Sequence, residues 1–117
     1  MLIDVQGRNF SVTNDLRAHV ECRLRSALGA CYRQVKRVLV RLSDINGPRG
    51  GSDKRCHVEV VLAGQAVVVE KTDADVYLAV GRAASTASRT VMRRLRRRRA
   101  IRRNGTVPDR ALSEGIA

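Results

Sequence analysis

Hydrophobic and polar positions alternate along three stretches of the chain and recur at helical spacing along two others. Residues 2–6 alternate apolar and polar and then meet Gly7, the pattern of a short strand. Further on the period changes. Leu16, Val20, Leu24, Ala27 and Leu28 recur at helical spacing, Thr13 stands ahead of them as an N-cap, and Asn14 and Asp15 place polar and acidic groups at the positive end. Gly29 is a natural stop. Alternation returns in residues 35–42, with Val38, Val40 and Leu42 on one face and Arg37 and Arg41 on the other. Asn46-Gly47-Pro48 and Gly50-Gly51 mark residues 43–53 as a flexible loop. In residues 54–62, Cys56, Val58, Val60 and Leu62 alternate with Arg55, His57, Glu59 and Val61. Ala63-Gly64 leaves room only for a tight turn, so residues 65–71 are expected to pair antiparallel with that third strand.

Thr72 reads as the next cap, with Asp75 three residues on in the place of a capping-box glutamate. The helix that follows has a core stripe of Tyr77, Val80, Ala84, Ala87, Val91 and Leu95. Run to Arg103 it would be about 45 Å long at 1.5 Å per residue. Four strands span only about 20 Å across. The far end of the helix is therefore expected to project past the body. Asn104-Gly105 breaks the pattern and leaves residues 104–117 as a flexible tail to a domain of residues 1–103. The order β-α-β-β-β-α predicts an α+β fold: a two-layer sandwich, a four-stranded sheet with two helices on one face, as in double-stranded-RNA-binding domains.

Charge changes the picture most at the last helix. From Val76 to Arg103 there are ten arginines and no acid, which supplies +10 of a formal +12; the rest of the chain is close to neutral. A solvated helix normally mixes signs and gains from opposite charges one turn apart. This one repels itself unless a polyanion neutralises it, and a polyphosphate is the commonest such partner. Arginine outnumbers lysine 20 to 3, and a guanidinium grips phosphate through paired hydrogen bonds. The candidate contacts are Arg82, Arg89, Arg93, Arg94, Arg96, Arg97, Arg98 and Arg99, with Arg8 in the loop after the first strand and Arg23 and Arg25 on the first helix. A groove between the two helices could gather some of them. The run around 93–99 is expected to cover most of the helix circumference.

The remaining chemistry is sparse. Phe10, Tyr32 and Tyr77 are the only aromatics, which argues against reading single-stranded RNA by base stacking and favours phosphate and shape. His19 and His57 sit in no motif with a nucleophile or carboxylate, and His19 with Cys22 lacks a second ligand pair, so no catalytic site, metal or cofactor is expected. Gly47-Pro48-Arg49-Gly50-Gly51 lacks the Gly-Lys-Ser/Thr ending of a phosphate loop. Cys22, Cys31 and Cys56 share no metal spacing and read as reduced thiols of a cytoplasmic protein. No apolar run suits a membrane, and the N-terminus does not read as a secretion signal.

Gly7-Arg8-Asn9, Val12-Thr13 and Leu16-Arg17 resemble the opening of the ribosome hibernation-promoting factors, also called ribosome-associated inhibitor A or ribosomal subunit interface proteins. Asp75-Val76-Tyr77 with Ala79-Val80 is similar to that family's Asp-Met-Tyr-x-Ala-Ile, and Arg89-Thr90-Val91 falls where it has Arg-Gln-Leu. The resemblance spans about residues 1–100. It implies a non-enzymatic short form, a monomer when free, without a small-molecule substrate. Such a protein docks on small-subunit rRNA in the channel of mRNA and the A- and P-site tRNAs, and silences ribosomes in stationary phase or stress. Arg23 and Arg89 with its neighbours would touch rRNA phosphates. Ala83, Ala84 and Ala87 replace larger aliphatics, so the last helix should sit closer to the sheet or pack more thinly. A general structured-RNA binder or RNA chaperone, and a module whose basic helix docks an acidic protein, are the alternatives.

Overall fold

Strand alternation places Val38, Val40 and Leu42, Cys56, Val58, Val60 and Leu62, and Val67 and Val69 on one face of a sheet, where all are buried. The computed structural model describes residues 1–45 and 53–103, with side chains through Arg98. The elements are β1 (Leu2–Arg8), α1 (Asn14–Ala27), a single 3-10 turn (Gly29–Cys31), β2 (Val35–Asp44), β3 (Lys54–Leu62), β4 (Gln65–Asp73) and α2 (Val76–Arg103). The expected β-α-β-β-β-α order and α+β class are thus present. Sheet order follows chain order, β1-β2-β3-β4. β1 pairs parallel with β2, because α1 carries the chain back across the sheet before β2 begins. The other pairs are antiparallel, and Ala63-Gly64 makes the tight β3–β4 turn with Gly64 at φ +78°. A bulge at Lys36 lets Val35 and Val38, three residues apart, both face inward.

Both helices cover that apolar face. From α1 come Leu16, Val20 and Leu24, followed by Leu28 and Cys31. From α2 come Ala79, Val80, Ala83, Ala84, Ala87, Val91 and Leu95. Four of those seven are alanines exposed by 1% or less, so the helix backbone lies close to its neighbours. The layers are stitched at two further points. Ser88 Oγ donates to the Ala27 carbonyl at 2.7 Å and ties α2 to the end of α1. Arg17 donates to the Val5 carbonyl at 3.0 Å and ties α1 to β1.

Thr13 caps α1 as expected, its hydroxyl accepting from the Leu16 N–H at 3.1 Å. The second cap differs. Thr72 is still paired with Arg55 in the ladder, which runs on to Asp73. Asp75 caps α2 instead, its carboxylate accepting from the Tyr77 N–H at 2.9 Å. Asp73 in turn accepts from the Asp75 N–H at 3.0 Å. Replacing Asp75 with alanine is expected to cost about 0.5–2 kcal/mol. Urea titration checks this as a lower midpoint at unchanged slope.

Two further expectations are corrected. Tyr77 is not part of the core stripe: it is 42% exposed, and in the first turn of α2 its ring lies against His19 of α1. The basic end of α2 also does not stand free of the body as a whole. The helix runs along the strands and not across them, so the relevant dimension is strand length. Arg82 lies over the Thr72 carbonyl and Arg98 over the Ala63 carbonyl, so α2 follows β4 from one end to the other. Only its last residues extend beyond the turn. The loop motif at residues 47–51 and the tail at 104–117 lie outside the described residues.

Burial also explains the thiols. Burial pushes the Cys56 thiol up to about 12 and raises that of Cys31, whereas Cys22 is exposed. A thiol reagent at neutral pH should therefore label Cys22 rapidly and the other two only on unfolding. Rapid native labelling of more than one thiol would contradict this packing.

Candidate nucleic-acid interface

Helical geometry sorts the arginines of α2 into two groups. Arg82, Arg89, Arg93 and Arg96 are spaced 7, 4 and 3 residues apart, which keeps them on one stripe, with Arg97 beside it. All five are exposed. Arg94 and Arg98 lie on the flank facing the β3–β4 turn. Arg94 donates to the Gln65 side chain at 3.3 Å and to the Ala66 carbonyl at 3.4 Å. Arg98 donates to the Ala63 carbonyl at 2.8 Å. The basic run therefore does not cover the circumference evenly. One group is open to solvent and the other hooks the helix onto the hairpin. The Arg99 side chain lies outside the described residues.

α1 and α2 enclose a groove of about 660 Å³, lined among others by His19, Arg23, Lys71, Tyr77, Leu78, Gly81, Arg82 and Arg89. The groove expected between the helices is thus present and gathers Arg23, Arg82 and Arg89. Every charged residue along it is basic. Lys71 is a member that the sequence did not announce: it sits at an inward-leaning position near the end of β4 and reads as an ordinary strand lysine. Gly81 of α2 faces the Arg23 side chain of α1 across it. A Cβ there would lie 3.2 Å from the Arg23 guanidinium, so the bare backbone makes room for that side chain to cross the groove. Arg82 is held by the Thr72 carbonyl at 3.3 Å and the Asp73 carboxylate at 3.5 Å. Arg89 reaches the Thr86 hydroxyl at 3.3 Å. His19 and Tyr77 meet edge to face, ring centroids 4.8 Å apart.

The other candidates lie elsewhere. Arg25 pairs with Glu21 one turn back at 3.8 Å and does not line the groove. Arg8 lines a second, smaller concavity on the far side of the sheet with Arg41, Arg55, Asp44, His57 and Glu70. There His57 and Glu70, cross-strand neighbours, meet at 3.0 Å. That hydrogen bond, helped by the charge of Arg55, holds the Glu70 carboxyl below its usual range. This carboxylate partner of His57 comes from the adjoining strand and was invisible in the local sequence. Among the described residues no group of three or more His, Cys, Asp or Glu could hold a metal ion, and no helix is long and apolar enough to cross a membrane.

A mixed four-stranded sheet with two helices on one face, bearing an acid-free cationic groove, defines a class of small α+β proteins. The chain belongs to the family described as Sigma 54 modulation protein / S30EA ribosomal protein, whose family model matches residues 3–99. It is a family of ribosome-associated factors, and the resemblance to ribosome hibernation-promoting factors stands. The chain is similar to the N-terminal domain of Protein Y from Thermus thermophilus, with 32% identity and a TM-score of 0.64 over 80% of this chain and 98% of that one. It shares its fold with a ribosomal subunit interface protein from Coxiella burnetii, with 18% identity and a TM-score of 0.70 over 80% of this chain and 96% of that one. A search of curated proteins found none that matches.

Proposed function

We propose that this protein is a translation inhibitor of the hibernation type. It docks on the small ribosomal subunit and fills the decoding channel that mRNA and the A- and P-site tRNAs use. The observation that carries this reading is the groove lined by Arg23, Lys71, Arg82 and Arg89 with no acidic lining residue, together with the exposed Arg93, Arg96 and Arg97 further along the same stripe of α2. Membership of a ribosome-associated family supplies the partner. The arginines bind and position by neutralising rRNA phosphates, and the rigid two-layer body excludes other ligands from the same space. No group in the groove is arranged for covalent chemistry, so inhibition is steric and electrostatic.

Sedimentation of a stationary-phase lysate through sucrose at moderate and high salt tests the reading. The expected result is comigration with small subunits or whole ribosomes at moderate salt and release at high salt. Protein at the top of the gradient in both, or equal affinity for naked RNA duplex and for ribosomes, would replace this function with a general RNA-binding one.

A further inference from the structure

The groove between α1 and α2 has a character that phosphate binding alone does not require. Arg23, Lys71, Arg82 and Arg89 make its lining cationic, but most of the lining surface is apolar. Tyr77 is 42% and Leu78 57% exposed, and both belong to that apolar lining. They are the first turn of α2, held in place by the Asp75 cap. His19 of α1 closes the same end, its ring set edge-on against Tyr77. One of only three aromatic residues in the chain is thus half-exposed in the lining of a basic cleft. A duplex backbone would use the cations and leave this apolar lining uncovered.

We propose that the groove seats one unpaired nucleotide. Its base lies against Tyr77 and Leu78 beside His19, and its flanking phosphates rest on Arg23 and Arg89. A flipped-out base presents an apolar face to such a lining, and base-on-aromatic contact is tolerant of base identity. Gly81 leaves room for the Arg23 guanidinium at the groove wall, 3.2 Å from where a Cβ would stand. The volume, about 660 Å³, lies within the usual range for small-ligand sites and admits a single nucleotide. This inference rests on the ribosomal reading above for the source of the RNA, which would offer a bulged or looped-out residue at the docking site.

The test uses the full chain and two short RNA hairpins, one fully paired and one carrying a single 2-aminopurine bulge. Wild-type protein should bind the bulged hairpin about tenfold more tightly and quench the probe on stacking. In Tyr77→Leu, which keeps an apolar exposed side chain, the ratio should fall towards one and the quench should disappear. Equal affinity of the wild type for both hairpins, or an unchanged ratio in Tyr77→Leu, would overturn the proposal. Ribosome sedimentation of the same proteins separates the two readings. A wild type that leaves ribosomes alone yet keeps the bulge preference sustains the nucleotide seat and removes the hibernation function. One that sediments with ribosomes but shows no preference removes the seat and leaves phosphate docking intact.

Discussion

Replacing Arg93, Arg96 and Arg97 together with glutamine is expected to weaken ribosome binding steeply while the domain stays folded. All three are exposed on the open side of α2, and none hydrogen-bonds another described residue. Each phosphate contact contributes about 0.7–0.9 to the slope of log affinity against log salt, so losing three should flatten that slope by about 2–3. The control is a double change of equal kind, Arg94→Gln with Arg98→Gln. It removes two charges from the same run but also the hydrogen bonds to the β3–β4 turn. That pair should lower the melting temperature, which the first set should not. Titrating binding at several salt concentrations, with circular dichroism on each variant, reads both effects. If the triple variant binds as the wild type does, the outer stripe of α2 is not the docking surface.

Enlarging the alanine seam should be the most damaging single change to the fold. Ala83 is fully buried on α2, in line with Ala79 and Ala87 at one-turn intervals. Leucine there adds three carbons at a fully buried position. Overpacking of this kind costs roughly 1–3 kcal/mol and sometimes more. For a domain of this size each kcal/mol lowers the melting temperature by roughly 4–8 °C. A drop of about 10 °C or more is the expected outcome of calorimetry on Ala83→Leu. A neutral result would mean that α2 stands further from the sheet than its alanines imply. Of the two sequence expectations for these alanines, a closer helix or a thinner core, their near-zero exposure supports the first.

The fold was legible because the periods are clean. Val38, Val40 and Leu42 declare a strand face, and Leu16, Val20 and Leu24 a helix face, with few competing signals. Errors arose where tertiary partners decide. Thr72 has the chemistry of a cap, but its ladder pairing with Arg55 keeps it in β4, and Asp75 takes the role. Tyr77 fits the core stripe by spacing, but it stands in the first turn of α2, where its ring meets His19 of α1 and stays 42% exposed. For the site, charge along the sequence pointed to α2 and named Arg23 as a candidate contact on the first helix, but it could not sort the run. Whether an arginine faces solvent or a carbonyl depends on the β3–β4 turn, some thirty residues away in sequence. Arg94 and Arg98 find partners there, whereas Arg93, Arg96 and Arg97 do not reach it.

The parallel pairing of β1 with β2 shapes how the chain assembles. β2, β3 and β4 follow one another in the sheet as antiparallel neighbours. β1 instead meets β2 across a separation of thirty-five residues, Leu2 opposite Arg37, and only after α1 has been laid down. Closing so long a loop carries an entropic cost before any ladder bond forms. β1 is an edge strand whose one ladder partner is β2, and its amides are expected to exchange faster than those of the central β3. Its withdrawal would loosen α1 through the Arg17–Val5 bond, and with α1 one wall of the basic groove. A polyanion seated in the groove is therefore expected to slow exchange of the β1 amides as well.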